Sequence, residues 1–364
     1  MRLRLFRTLL IVLSCVVAAV EARAAGPLVP GTGMQITGVG DDFEDPNWDY
    51  VPNWPKSSNN IDKRTRNPGG VSTNGRWFEA ALRGQPDYLA RVAPPPGGLP
   101  GSNGALMLRT LQSGIPGAPS NQDQQDDLIA NVRQRVGGNI PISNEPSIVT
   151  RVYLPPVEQW ENRSGSQFAF RAGVRGGAEM EEYWPGIFLQ FQSETQTRNR
   201  TDGIFLVIRA DGRGRDIRSI DVTQTGWWTL GMSFTADGRV HYFAKPGVDD
   251  LTAEDYLTSY VPYSMPCRVF ETFFFDCFNR DDGRSWSTPF IVDDPSLFLV
   301  RGGPQMQANC DRLDRQRIAA AEARNAAAQA RSGAQPAQQP RTPPQPAAQR
   351  TQPQGRAMQP RTTR

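Results

Sequence analysis

The chain has 364 residues, with 40 Lys and Arg, 37 Asp and Glu, one His and four Cys. Its 34 Gly and 31 Pro make up about 18% of the sequence, which disfavours a helical bundle or coiled coil and favours short elements joined by turns. A single His excludes a three-His zinc site, and any Ser-His-Asp or Cys-His chemistry has to run through His241.

Residues 1–24 have the layout of a cleaved export signal. Arg2, Arg4 and Arg7 precede an apolar run from Leu9 to Val20, and Ala22-Arg23-Ala24 has the small-x-small form of a signal peptidase site. The run is shorter than the roughly 18 to 20 apolar residues that a membrane span needs. Val12-Leu13-Ser14-Cys15 resembles a lipobox, but Val16, Val17 and Val20 carry the apolar run past that Cys. The expectation is an exported protein, in the periplasm, at the cell surface or outside the cell, with no transmembrane span in the mature chain. Residues 25–40 read as a linker.

From residue 41 to 302 the chain shows repeated period-two alternation. Phe168, Phe170, Ala172 and Val174 alternate with Gln167, Ala169, Arg171 and Arg175; Ile187, Leu189 and Phe191 alternate with Phe188, Gln190 and Gln192. Each pattern predicts a strand with one face in a core. The runs Gly203–Ala210 and Arg215–Val222 flank Asp211-Gly212, and Trp227–Thr235 and Arg239–Ala244 flank Ala236-Asp237-Gly238, giving two hairpins. Gly104–Leu111, Ser147–Leu154, Phe270–Asn279 and Ser287–Val300 complete the predicted strands, while Pro94–Gly101 and the polar stretch Gly114–Asp127 read as long loops. Many short strands without a helical period predict an all-β fold, a single antiparallel β-sandwich over residues 41–302.

Beyond it the composition changes. Residues 311–332 are Ala-rich and charged and predict a surface helix; residues 333–364 are mostly Gln, Pro, Ala, Thr and Arg, a low-complexity tail with too little to bury and therefore disordered. From Asp311 onward there are ten Arg against two Asp and one Glu, a basic arm that would be drawn to anionic surfaces, less so as salt rises. Three Cys remain after export. Of the three pairings, Cys267–Cys277 closes the shortest loop and ranks first, leaving Cys310 as an odd thiol.

Four phrases carry a resemblance: Asp41-Asp42-Phe43-Glu44-Asp45 with Trp48, Gly101-Ser102-Asn103-Gly104-Ala105-Leu106, Trp228 with Asp237-Gly238-Arg239-Val240-His241-Tyr242, and Phe290-Ile291-Val292-Asp293-Asp294. Together they resemble concanavalin A-like lectin/glucanase and carbohydrate-binding jelly rolls. The resemblance implies that the opening and closing strands pair at the sandwich edge, where Asp42, Glu44, Asp293 and Asp294 could hold a structural Ca²⁺.

On the sheet face itself, the same parity that sends Phe168 and Ile187 inward sends Arg171, Arg175, Gln190 and Gln192 outward. Guanidinium and amide groups with aromatics beside them suit sugar hydroxyls and carboxylates, and Tyr183, Trp184 and Trp227 are candidate stacking platforms. Trp227 and Trp228 point to opposite faces, so one of them belongs to the core. The expected partner is a polysaccharide, acidic ones included.

Two enzyme readings stand beside binding. Glu179 and Glu181 share a face as in hydrolase E-x-D-x-x-E strands, but Trp184 takes the place of the last Glu. Val240-His241-Tyr242-Phe243-Ala244-Lys245-Pro246-Gly247-Val248 resembles a strand of alginate-lyase-type jelly rolls, which implies Arg171 and Gln190 as carboxylate-neutralising groups and His241 or Tyr242 for proton transfer; the family's other phrases are absent. A non-catalytic structural envelope protein is the third reading. No Walker loop, dinucleotide fingerprint, HExxH or EF-hand pattern occurs, so no nucleotide is expected.

Overall fold

The computed structural model describes residues 27–196 and 201–333. The predicted export signal and the tail from residue 334 lie outside the described residues.

Inward-facing aromatic and β-branched residues at every second position build two antiparallel sheets that pack face to face as a β-sandwich. The smaller sheet has eight strands. Its middle is made by Gly226–Phe234, Pro146–Leu154 and Phe290–Leu299, with Val240–Pro246 and Tyr256–Tyr260 on one side and Ala105–Arg109 and Tyr88–Val92 on the other. The larger sheet has eleven strands, in the order Ile217–Asp221, Gly203–Arg209, Gly186–Gln192, Gly165–Gly176, Cys267–Asn279, Gln124–Ala130, Trp77–Glu79 and then short edge strands. Between the sheets Trp77 stacks on Phe275 at 5.5 Å between centroids and meets Phe273 edge-on at 5.8 Å, and Phe168 and Phe170 stack in turn on Phe275.

Three boundaries differ from the sequence expectation. The stretch 25–40 contains a strand, Met34–Gly40, which buries Ile36 and Val39 and pairs with the closing strand Phe290–Leu299. The polar stretch Gly114–Asp127 ends inside another strand, Gln124–Ala130. Its polarity hid it, because Asp126 and Asp127 are buried with partners supplied by distant parts of the chain. The C-terminal helix starts earlier than residue 311 and spans Gly303–Gly333. Within the compact body, which runs through Arg315, its first turns are held by Cys310, buried, and by Asp314, whose Oδ2 lies 2.6 Å from Arg135 Nη2. Residues 316–333 form a second unit, mostly exposed.

The expected Cys267–Cys277 disulfide does not form. Both residues lie in the one strand Cys267–Asn279, and ten residues of extended chain separate them by roughly 30 Å, far beyond the roughly 4.4–6.8 Å between Cα atoms that a disulfide tolerates. Cys267, Cys277 and Cys310 are all free and buried.

Candidate functional site

The outer face of the larger sheet carries a cleft of about 430 Å³. Its floor is apolar, with Phe78, Ile129 and Phe274 contributed by three neighbouring strands at outward positions. Polar groups come from the same strands, Gln125, Asp127 and Thr272, and from two strands further along the sheet, Arg171 of Gly165–Gly176 and Arg209 of Gly203–Arg209. Glu182 and Trp184 stand on one wall, and Leu82 and Arg83 on the other.

Arg171 organises this surface. Its Nη1 donates to Asp276 Oδ2 at 3.0 Å, and its Nε and Nη2 donate to the Trp184 carbonyl at 3.3 and 2.9 Å. The guanidinium lies over the rings of Phe188 and Phe274, 5.3 and 5.2 Å from their centroids. Arg209 covers the Phe188 ring at 4.6 Å and donates to Asp216. Phe188 itself belongs to a small outer cluster with Ala169, Val207 and Phe278, which explains why aromatic residues occupy positions that parity assigns to the outside. From within the sandwich, the Tyr242 hydroxyl donates to the Arg209 carbonyl at 2.9 Å and ties this strand to the opposite sheet.

Asp127 and Asp276 stand directly opposite each other on adjacent strands. Burial pushes both carboxyls above the usual carboxylate range; at Asp276 the Arg171 guanidinium opposes the rise, whereas the neighbouring Asp276 adds to it at Asp127. Asp127, which lines the cleft, is the more strongly raised of the two, and Asp276 is the partner of Arg171. Asp276 Oδ1 is buried with no hydrogen-bond partner. Gln125 Nε2 donates to Asp127 Oδ1 at 2.9 Å.

Of the residues the sequence nominated for ligand binding, Arg171 and Trp184 line this cleft. Arg175 lies at its margin, paired with Glu271 at 2.9 Å and with the wall residue Glu182 at 3.5 Å. Gln190 and Gln192 are half-buried on the same sheet but not in the cleft; Gln190 Nε2 donates to Ser166 at 3.4 Å. Tyr183 is buried, its hydroxyl donating to the Met265 carbonyl at 2.6 Å. Trp227 is no platform, because the loop after Val92 covers it and its indole N–H donates to the Pro95 carbonyl at 3.1 Å.

The lyase set is scattered. His241 and Tyr242 belong to the smaller sheet, away from Arg171. Tyr242 is fully buried in the core, and His241 is buried against Thr235 Oγ1 at 2.9 Å, its pKa lowered by burial.

The opening and closing acids do approach one another, yet their oxygens are engaged. Asp294 pairs with Arg151 at 2.8 Å, Glu44 accepts from the backbone of Asn103 at 2.8 Å, and Asp293 accepts from Ser102 at 3.0 Å; Asp42 is exposed. Burial pushes the Asp293 carboxyl up to about 6. Among the described residues no group of three or more His, Cys, Asp or Glu is placed to share an ion.

Asp127, Asp276 and Arg209 were missed in the sequence. The signal for Asp276 was present: a lone charge inside Phe273-Phe274-Phe275-Asp276-Cys277-Phe278 has to find a partner in the fold.

No protein-family model matches the chain, and no curated protein does. Among solved structures it is similar to the marine PL7 alginate lyase of Zobellia galactanivorans (10% identity, 62% of this chain and 95% of that one, TM-score 0.33). It is also similar to the endo-β-1,4-glucuronan lyase of Trichoderma reesei (14% identity, 69% and 94%, TM-score 0.32). A third likeness is to the CBM27-1 module of Caldicellulosiruptor saccharolyticus solved with mannohexaose (14% identity, 68% and 88%, TM-score 0.27). These likenesses are distant. No helix among the described residues is long and apolar enough to cross a membrane.

Proposed function

We propose that the protein is an exported polysaccharide-binding β-sandwich that lays a sugar chain in the cleft beside Arg171 and Trp184. The observation that carries this reading is the pairing of a half-buried indole with an apolar floor and converging polar groups in one open cleft. A pyranose ring offers an apolar C–H face to an aromatic wall and a rim of hydroxyls to donors and acceptors, and this cleft has both kinds of surface. Arg83, Arg171 and Arg209 line it with Glu182 and Asp127; Arg171 and Arg209 are paired with Asp276 and Asp216, and Arg83, which donates to the neutral Gln124, is the cation left to favour glycans that carry carboxylates. The basic arm after Asp311 would add salt-sensitive attraction to the same class of polymer. A panel of neutral and uronate-containing polysaccharides tests this: retention on one or more of them, strongest among the uronates, supports it, and retention on none removes it.

A second reading, cleavage, is favoured by the Asp127–Asp276 pair. A carboxyl whose pKa is raised by burial and by the neighbouring Asp276, and which lines a cleft, is suited to act as a general acid toward a glycosidic oxygen, with Glu182 the other carboxyl of the cleft. New reducing ends released by the wild type, and not by Asp127→Asn with binding retained, are the expected result of this reading. Bound sugar left intact by the wild type limits the protein to binding.

A further inference from the structure

Lys56 is fully buried, in the loop that follows the edge strand Tyr50–Val51. Its Nζ contacts Asp126 Oδ2, Asp87 Oδ1 at 2.8 Å and the Gln85 carbonyl at 3.2 Å, and the Trp54 ring lies 5.8 Å away. Asp126 is also fully buried, on the inward face of Gln124–Ala130 with Leu128 and Ala130. Its Oδ2 accepts from Thr110 Oγ1 as well, while its Oδ1 is buried with no hydrogen-bond partner. Asp87, almost buried, accepts through Oδ2 from the backbone of Leu111 and Gln112, both at 2.6 Å.

Three ionisable groups sealed from water in this way make a costly salt bridge and a favourable place for condensation, because the only water present would be the one the reaction expels. We propose that Lys56 and Asp126 become joined by an intramolecular amide bond once the chain has folded, with Asp87 moving the protons.

The step balances within the three side chains. Asp87 takes one proton from the Lys56 ammonium. The freed lone pair of Nζ attacks Cγ of protonated Asp126, and the Nζ–Cγ bond forms. A second Nζ proton passes to Oδ1, which already carries the acid proton of Asp126, as the Cγ–Oδ1 bond breaks, and Oδ1 leaves as water with both; the third Nζ proton stays on the amide nitrogen and the first stays on Asp87. Nothing is oxidised or reduced. Burial pushes the Asp126 carboxyl up to about 7, so it is available as the neutral acid that the attack needs. Asp87, and Asp126 while it is ionised, hold the Lys56 ammonium above its usual pKa in spite of burial, which makes removal of its proton the step that Asp87 has to perform.

The product fits the surroundings better than the reactants do. The oxygen that departs is the one without a partner, the remaining carbonyl keeps the Thr110 hydroxyl, and the amide N–H keeps the Gln85 carbonyl. Two buried charges disappear. The bond would fasten the edge of the larger sheet to Gln124–Ala130 and close a ring through the 70 positions that separate the two residues, in a protein whose three described cysteines form no disulfide.

The test is a tryptic map of the denatured full chain by mass spectrometry. The expected result is a branched peptide in which the Lys56 and Asp126 segments are joined with the loss of one water, together with no cleavage after Lys56. Linear peptides of unmodified mass, with cleavage after Lys56, overturn the proposal. Asp87→Ala keeps both reacting groups and is expected to give the linear peptides; the branched peptide at wild-type yield in that variant would remove Asp87 from the reaction. Should Asp87→Ala not fold, the wild-type map decides alone.

Discussion

Gly186 and Arg171 face each other on paired strands, and the space a side chain would fill at Gly186 is occupied by the stem of the arginine. A Cβ built at Gly186 would lie 2.5 Å from Arg171 Cγ and 2.9 Å from the Phe170 carbonyl. The glycine is what lets Arg171 lie flat over Phe188 and Phe274 and reach both Asp276 and the Trp184 carbonyl. In Gly186→Val the arginine is displaced and Asp276 loses its partner. Leaving a buried charge uncompensated costs about 3–5 kcal/mol, so denaturant unfolding should show a loss of that order, and any folded variant should have lost the cleft's ligand. A Gly186→Val protein with wild-type stability and binding would contradict the role given to Arg171.

Asp127 makes stability depend on pH in a stated direction. Its carboxyl holds a proton more tightly in the folded chain than in the unfolded one. The folded state therefore gains from it at low pH, and that gain is lost as pH rises from the ordinary carboxylate range through the raised folded value. Asp127→Asn places a neutral amide there, able to donate to Asp276 and accept from Gln125. Melting temperatures measured across the acid-to-alkaline range should therefore fall less steeply with pH in the variant than in the wild type, with the variant the more stable at alkaline pH. Parallel curves would mean that folding does not raise the Asp127 pKa.

The thiols should be silent in the native protein. Burial pushes the Cys267 thiol up to about 12 and raises Cys277 and Cys310 as well, and all three are free. Because the thiolate is the reactive form, an aromatic disulfide reagent is expected to titrate none of them in the folded state and all of them in denaturant. Fast modification of the native chain would contradict their burial.

The inward face of the sandwich was legible because a strand writes its core side into the sequence at every second residue. Phe168, Phe170, Ala172 and Val174 are all fully buried, as are Ile187 and Leu189, and the same parity correctly sent Arg171 outward. Period two says nothing about which outward residues share a cleft, since that depends on strand order. Arg171 has Asp276 and Asp127 near it only because Cys267–Asn279 lies beside its strand and Gln124–Ala130 beside that one, both far from it in sequence. For the same reason Gln190, next to Arg171 by parity, falls outside the cleft, and His241 belongs to the other sheet. The strand Gln124–Ala130 was invisible because its polar residues are satisfied by Lys56 and Asp276, which local pattern cannot reveal. Trp227 has the composition of a platform, and only the fold shows the loop above it.

The central claim is that the Trp184 side of the cleft receives a glycan. Trp184 is half-buried and its side chain can be removed without opening the core, so calorimetric titration of wild type and Trp184→Ala with the best-retained polysaccharide addresses it most directly. The expected result is binding weakened about tenfold, equivalent to roughly 1.4 kcal/mol, at an unchanged melting temperature. Equal affinity for the two proteins would place the sugar elsewhere and contradict the account.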